Sequence, residues 1–289
     1  MFHLIYNPVA GRGRASDALV QTRAFLDARA LPYRILSTEA PGHATRLALG
    51  TPPDATVVAV GGDGTAHEVA RACIGSQRTL GVLPVGSGDD FAFALGMRRA
   101  DLPGALGRLV AGEVRLVDSG RVNGEPFINA AGVGFDADVA TRVARAPRRL
   151  KGLAAYLWAV MTALGALEAV PVEVRVDGER VYTGRSLLVS THLGPRTGGS
   201  FLFAPEASLT DGMFEVLVAG ALGRLGTLAL LPRVMRGAHL GHPAVHLFRG
   251  RDVELCWQRD QPGHAEGEPL RAGRTFRFEM APASLRVLA

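Results

Sequence analysis

Val57-Val58-Ala59-Val60-Gly61-Gly62-Asp63-Gly64-Thr65 joins an apolar run to a glycine turn, an acid and a helix start. Glycines let a backbone approach a phosphate closely, and a helix starting there offers unpaired N–H groups and the positive end of its dipole. An acid beside phosphate would repel it, so the natural use of Asp63 is to face a Mg²⁺ ion. The same residues also suit a tight turn with Asp63 as helix cap, and the glycine pattern alone does not choose between the two. Gly81-Val82-Leu83-Pro84-Val85-Gly86-Ser87-Gly88-Asp89-Asp90-Phe91 repeats the design one strand later. Two such loops at neighbouring strand ends are expected to form opposite lips of one cleft. Asn7-Pro8-Val9-Ala10-Gly11-Arg12-Gly13 is a third wall of that cleft, with Arg12 or Arg14 near phosphate, or else an ordinary strand-to-helix loop.

Two further segments lie late in the chain. Gly263-His264-Ala265-Glu266-Gly267-Glu268-Pro269 sets two carboxylates on either side of a glycine, and Thr210-Asp211-Gly212-Met213-Phe214 is an Asp-Gly turn leading into a strand. Alone, each reads as a solvated turn. Gly132-Val133-Gly134-Phe135-Asp136-Ala137 matches a loose dinucleotide pattern. No clean strand with a terminal acid follows about 20 residues later, so it is discounted. The eight histidines form no His-Glu-x-x-His pair, and no Gly-x-Ser-x-Gly nucleophile elbow is present.

The elements that must position these residues follow from the apolar pattern. Over the first 120 residues, strand candidates at 2–6, 33–37, 56–60, 80–84 and 114–118 alternate with helical stretches at 15–30, 43–49, 65–74 and 101–111. That alternation predicts a doubly wound parallel sheet, whose ligands bind at the carboxyl ends of the strands. From about 121 to 289 the pattern becomes hairpins: 172–176, 180–183, 186–191, 213–219, 245–248, 253–257 and 275–279, interrupted by one helix at 222–240. A β-rich, antiparallel, sandwich-like second domain is expected, with the boundary near 119–124.

Composition narrows the chemistry. Of the 32 basic residues in the 289-residue chain, only Lys151 is lysine. It sits in Arg149-Leu150-Lys151-Gly152, which excludes both a Walker A loop and a protein-kinase strand lysine. The two cysteines, Cys73 and Cys256, form no Cys-x-x-Cys pair, so a reducing compartment is the default. The longest apolar stretch, 153–167, falls short of the roughly 20 residues a membrane span needs. A cytoplasmic protein is expected, peripheral at most: Arg145, Arg148, Arg149 and Lys151 precede that stretch and suit an anionic membrane surface, or else cap a core helix. The net charge of +5 is too diffuse to imply nucleic acid.

Taken in order, these segments resemble the diacylglycerol-kinase catalytic-domain family, which includes bacterial lipid kinases, sphingosine kinases and ceramide kinases. Asn7-Pro8, Thr38 ahead of Gly42-His43-Ala44, Gly61–Thr65 with Glu68, Gly86–Asp90, Asn129–Asp136, Asp211-Gly212, His242-Pro243 and the late acid-Gly-Glu fall in register along nearly the whole chain. Each is weak alone, and the ordered set is specific.

The resemblance implies an ATP-dependent lipid kinase that moves the γ-phosphoryl group of ATP to a lipid hydroxyl such as that of diacylglycerol. Residues 1–120 would bind nucleotide and 121–289 the lipid, with the active site in the cleft between them. Asn7, Pro8, Val9, Ala10, Gly11, Thr38, Gly62, Asp63, Gly64, Thr65, Ala66, His67, Glu68, Ser87 and Asp90 would line the ATP site, with Asp63 and Asp90 organising Mg²⁺. A second, structural Mg²⁺ would sit on Asp211 and the backbone oxygens of Ser208 and Met213. The catalytic set would be Glu266, Glu268 and Asp63. The family usually has Asp-Gly-Glu where this chain has Glu266-Gly267-Glu268, so the base would be one methylene longer. It also commonly has Thr and Asn where this chain has Ser87 and Asp89. An NAD-kinase-like soluble phosphotransferase and a weakly active or non-catalytic lipid or nucleotide binder are the alternatives. The expected partners are a lipid, a membrane surface at its periphery and no nucleic acid, with a homodimer allowed.

Overall fold

A run of valines ending in paired glycines, Thr56–Gly61, forms the central strand of the first of two units in the computed structural model. The structure describes residues 1–98, 101–147, 149–150 and 153–289. The units comprise Met1–Ser119 with Pro282–Ala289, and Gly120–Ala281.

In the first unit β1 (Phe2–Tyr6), α1 (Arg14–Asp27), β2 (Tyr33–Ser37), α2 (His43–Leu49), β3 (Thr56–Gly61), α3 (Asp63–Cys73) and β4 (Thr79–Pro84) follow one another, then α4 (Asp90–Ala94), α5 (Leu102–Ala111) and the start of β5 (Val114–Val122). The sheet is parallel. β1 lies between β2 and β3, and β3 pairs with β4. The C-terminal residues Arg286 and Val287 extend it by pairing parallel with Thr79 and Leu80. Val57, Val58, Val60, Leu80 and Leu83 are fully buried, as a sheet covered on both faces requires. Parallel strands put every strand-end loop on one edge, so Asn7, Gly61 and Val85 are neighbours by topology. Asp118, a buried acid that sequence reasoning did not single out, accepts the Ala283 N–H at 2.7 Å and so fastens the returning C-terminal segment.

The second unit is antiparallel. Its elements are β6 (Glu125–Phe127), β7 (Ala130–Gly134), α6 (Phe135–Ala144), α7 (Leu153–Ala163), β8 (Val170–Val176), β9 (Glu179–His192), β10 (Phe214–Gly220), α8 (Arg224–Met235), β11 (Val245–Gly250), β12 (Asp252–Ala265) and β13 (Glu268–Leu288), whose last residues belong to the first unit. β9 pairs with β8 along its first half and with β7 and β10 along its second. β12 pairs with β8 first, then with β7. Each long strand thus changes partner midway, and the sheet folds over itself into the sandwich-like form expected. Leu188, Phe201, Leu217 and Val245 fill the core under α8.

Several boundaries differ from expectation. The candidates at 180–183 and 186–191 are one strand, β9, and that at 253–257 continues to Ala265 as β12, because ladder pairing on both sides outweighs the local glycine and proline. At Gly263 the glycine is a close-approach site: a Cβ there would lie 2.7 Å from the Phe276 ring. The discounted segment Gly132–Ala137 is the end of β7 running into α6. Arg148 and Lys151 lie outside the described residues.

Candidate active site

The strand-end loops of the first unit are tied together atom by atom. Asn7 donates from Nδ2 to Thr65 Oγ1 at 3.1 Å, joining the first loop to the second. Asp63 reaches the third loop: Oδ2 accepts the Asp89 N–H at 2.7 Å, and Oδ1 accepts those of Asp90 at 2.6 Å and Phe91 at 3.3 Å. Gly62 and Gly86 touch through their backbones. The two glycine loops are therefore not opposite lips of a cleft, as expected, but one continuous rim. Adjacent parallel strands lie only about 4.8 Å apart, which leaves no room for a ligand between the loops that follow them.

Arg14 is likewise structural in its contacts. Its guanidinium donates to Gly11 O at 3.2 Å and to Gly86 O at 2.7 Å, so it closes the first loop onto the third. A Cβ at Gly11 would strike Val85 O, and its φ of +58° is left-handed, so only glycine brings the loop this close. Asp89 takes a φ of +54° and accepts the Gly86 N–H at 2.8 Å, which offsets the charge that an Asn would not carry. Glu68 is engaged by α2. Its Oε2 accepts the Ala44 N–H at 2.9 Å and its carbonyl accepts from Thr45, fixing α2 to α3. Thr38 donates its N–H to Tyr6 O at 2.9 Å. Gly62 caps α3 without a side chain, and a Cβ on Gly64 would meet nothing within 4 Å. At Gly64 the first turn of this 11-residue helix is therefore open, an arrangement that suits a phosphate. Asp63 opens α3 and Asp90 opens α4; both carboxylates are a donor type that suits Mg²⁺, but both oxygens of Asp63 are engaged here by backbone N–H groups.

In the second unit the acidic turn is only partly solvated: Glu266 is half-buried, while Gly267 and Glu268 are exposed. Glu266 and Gly267 have φ of +55° and +81°, the two left-handed positions of a tight hairpin turn closed by the Ala265–Glu268 pair. Glu266 Oε1 accepts three backbone N–H groups, from Ile128 at 2.8 Å, Asn129 at 2.6 Å and Ala130 at 3.3 Å. Its own N–H donates to Ala130 O at 2.9 Å. Oε2 makes no hydrogen bond to the described residues. Glu268 is exposed, at the first position of β13, and closes the turn rather than sharing the nest.

Behind the turn lies a buried polar cluster that sequence reasoning missed. His264 Nε2 lies 2.9 Å from Asp136 Oδ2, and both side chains are buried. Gly132 sits opposite His264 in the ladder, and a Cβ there would strike Asp136 Oδ2, so this glycine makes room for the pair. Burial opposes charge on both groups, but their contact outweighs it: Asp136 is held below the usual carboxylate range and His264 above the usual imidazole range. His192 Nε2 contacts Ser190 Oγ at 2.8 Å, and burial pushes that imidazole down to about 4. The available signal was spacing: His264 stands two residues before Glu266, the distance that returns a strand side chain to the same face.

At the Asp-Gly turn, Asp211 Oδ1 accepts the Met213 N–H at 3.1 Å and Oδ2 meets Arg249 Nη2 at 2.5 Å. Arg249 Nε also meets Glu215 Oε1 at 2.7 Å. Ser208 Oγ contacts Thr210. Both oxygens of Asp211 are thus engaged by the protein, one of them by a cation. A Mg²⁺ on Asp211 and the backbone oxygens of Ser208 and Met213 would have to share or displace the Arg249 contact to Asp211. Among the described residues no three His, Cys, Asp or Glu side chains gather in an arrangement that could hold a metal ion.

A parallel α/β unit followed by an antiparallel sandwich-like unit is the fold shared with solved diacylglycerol kinase and NAD kinase structures. A diacylglycerol kinase from Bacillus anthracis str. Sterne superposes with a TM-score of 0.73 at 20% identity, covering 99% of this chain and 96% of that one. An NAD kinase from Archaeoglobus fulgidus, in complex with ATP, superposes at 0.56 with 11% identity over 100% and 94%. Residues 1–122 match the diacylglycerol kinase catalytic domain and 129–289 the YegS C-terminal NAD kinase beta sandwich-like domain. The chain belongs to the diacylglycerol kinase catalytic domain family with a YegS-type C-terminal domain. It is 32% identical over 269 residues to a diacylglycerol kinase of Bacillus subtilis (strain 168), covering 92% of this chain and 88% of that protein. It is 31% identical over 242 residues to a probable lipid kinase YegS-like protein of Klebsiella pneumoniae (strain 342), covering 80% and 76%.

Proposed function

We propose that the protein transfers the γ-phosphoryl group of ATP to a lipid hydroxyl, with diacylglycerol as the representative acceptor. The observation that carries this reading is the Glu266 carboxylate, held at Oε1 by three backbone N–H groups with Oε2 left to receive a proton. Phosphoryl transfer asks little covalent chemistry of a protein and depends on positioning and charge stabilisation. In the first unit, the open first turn of α3 and the rim from Asn7 to Gly11, Gly62 to Glu68 and Ser87 to Asp90 take the phosphates. Mg²⁺ bound with ATP would supply neutralisation of the phosphate charge, and Asp63 and Asp90 would be the residues that hold it. In the second unit, Glu266 Oε2 accepts the proton of the attacking hydroxyl. A positioned base is worth roughly 10²–10⁴-fold in rate.

A lipid acceptor is supported by an apolar surface on α7. Leu153, Leu157 and Met161 are exposed at four-residue spacing, on one face of the helix. Leu225, in the first turn of α8, is also exposed, and Arg224 beside it donates to Gly165 O at 2.9 Å, so α8 starts next to the end of α7. The occupant of this face is an anionic lipid surface, matched by exposed Arg145 and Arg149 ahead of α7. Among the described residues no helix is long and apolar enough to cross a membrane.

Labelled ATP offered with diacylglycerol, phosphatidylglycerol, sphingosine and NAD tests the reading. Label in an organic-extractable product that is lost in Glu266→Gln supports it. Label in NADP, label in no product, or full activity of Glu266→Gln overturns it.

A further inference from the structure

His264 makes two contacts with opposite ends of its ring. Nε2 faces Asp136 Oδ2 at 2.9 Å, and Nδ1 accepts the Gly267 N–H at 3.1 Å. A nitrogen that accepts an N–H carries no proton, so the proton lies on Nε2 and points at Asp136. Gly267 is the residue after Glu266. Its N–H, in the middle of the turn, has no ladder partner, and Glu266 itself holds a left-handed conformation that costs a non-glycine residue energy. First-position Asp or Asn is usual in such turns, because they tolerate that conformation best. A Glu there needs an added restraint.

We propose that His264 is a positioning residue for Glu266: anchored by Asp136 on α6, it grips the Gly267 N–H and fixes the turn that carries the base. This rests on Glu266 being the base. Asp136, Glu266 and His192 are the titratable groups that face His264 from α6, the turn and β9. Protonation of Nδ1 sets a donor against a donor and releases the Gly267 N–H, so the grip exists only while His264 is neutral. A turn loosened by about 1 Å costs on the order of 10²-fold in rate.

Three variants divide the two contacts. The Oδ1 of an Asn occupies the place of Nδ1, so His264→Asn keeps the bond to Gly267 and loses that to Asp136. His264→Gln mimics Nε2 and keeps the bond to Asp136 instead. His264→Phe loses both. The full chain is assayed for kcat, for KM of ATP and for the pH dependence of kcat, and the Gly267 amide is followed by NMR hydrogen exchange, which needs no substrate. His264→Asn is expected to retain most of kcat and to lose an acid-side decline that the wild type shows. His264→Gln and His264→Phe are expected to lose on the order of 10²-fold in kcat at unchanged KM for ATP, with Gly267 exchange accelerated. The proposal is overturned if His264→Gln matches His264→Asn in Gly267 protection or in kcat, if the acid-side decline persists in His264→Asn, or if kcat falls only in step with the folded fraction. If the wild type phosphorylates no lipid, the assigned activity fails while Gly267 exchange still decides the grip.

Discussion

Gly62 and Gly86 meet backbone against backbone: a Cβ on Gly86 would lie 2.7 Å from the Gly62 Cα, and one on Gly62 would lie 3.0 Å from the Gly86 Cα. The contact welds the loops after β3 and β4 into one rim. It also separates two reasons for a glycine in this region, close approach within the protein and open space for a ligand.

Gly86→Ala and Gly64→Ala should therefore fail in different ways. At Gly86 the new methyl meets both Gly62 and Asp89 Oδ1, at 2.5 Å from the latter, so the loop must shift, stability falls by about 1–3 kcal/mol and the protein melts earlier. At Gly64 nothing lies within 4 Å, and alanine in the first turn of α3 should leave the melting temperature unchanged or raise it. If phosphates lie over that helix start, the same methyl weakens ATP binding on the order of tenfold or more. Thermal melts with ATP titration read both. A Gly64→Ala protein with normal ATP affinity would move the nucleotide elsewhere.

Much of this architecture is written in local sequence. The alternation of valine-rich runs and helical stretches gives the parallel sheet, and Asp177-Gly178 marks the β8–β9 hairpin. The rim was legible as glycine loops but not as a single welded surface, since hydrogen bonds such as Asp63 to Asp90 join residues far apart in the chain. Asp136 and His264 were illegible for the same reason, 128 residues apart. α6 was hidden because its first turn, Phe135-Asp136-Ala137, completes a glycine pattern that imitates a different motif.

Arg249 offers a direct test of the metal question. If its guanidinium is the counter-charge of Asp211 and Glu215, chelation with EDTA should leave the wild-type melting temperature unchanged, whereas Arg249→Gln lowers it. Glu215 is largely buried and its Oε2 has no partner among the described residues. Burial already pushes its carboxyl above the usual range against the pull of Arg249. A raised folded-state pKa means the folded protein prefers the protonated acid, so stability is lost as pH rises through the unfolded value. Removing Arg249 strengthens that trend, and the variant's deficit should be larger at pH 8 than at pH 5. A wild-type protein that EDTA destabilises as much as the substitution does would favour the divalent ion.

The apolar face of α7 predicts lipid-dependent partitioning. Leu157→Ser with Met161→Ser removes two exposed side chains that the fold does not need. Melting should be unaffected. Binding to vesicles containing phosphatidylglycerol should fall by more than about tenfold, since each inserted side chain contributes about 2 kcal/mol. Arg145→Glu with Arg149→Glu should abolish the preference for anionic over neutral vesicles. Unchanged co-sedimentation of both pairs would mean that this face does not meet lipid.

His192 should govern how the second unit responds to acid. Its imidazole stacks on Phe203, its Nδ1 lacks a partner among the described residues, and burial holds it near 4 against an ordinary value of 6.5. Between those values the unfolded chain binds a proton at this position and the folded chain does not. Stability from this group is therefore complete above pH 6.5 and declines as pH falls toward 4, at up to about 1.4 kcal/mol per pH unit. His239 is shifted the same way by burial and adds to the slope. His264 and Asp136 do not cancel it: His264 is shifted upward and its share is already constant below 6.5, while Asp136 is shifted downward and yields only at lower pH. His192→Gln keeps a hydrogen bond to Ser190 and cannot titrate. Urea unfolding at pH 7.5, 5.5 and 4.5 should show a steep loss in the wild type and a flattened one in the variant. Parallel slopes for the two proteins would mean that His192 is not held neutral by burial, and that the acid sensitivity of this unit arises from another group.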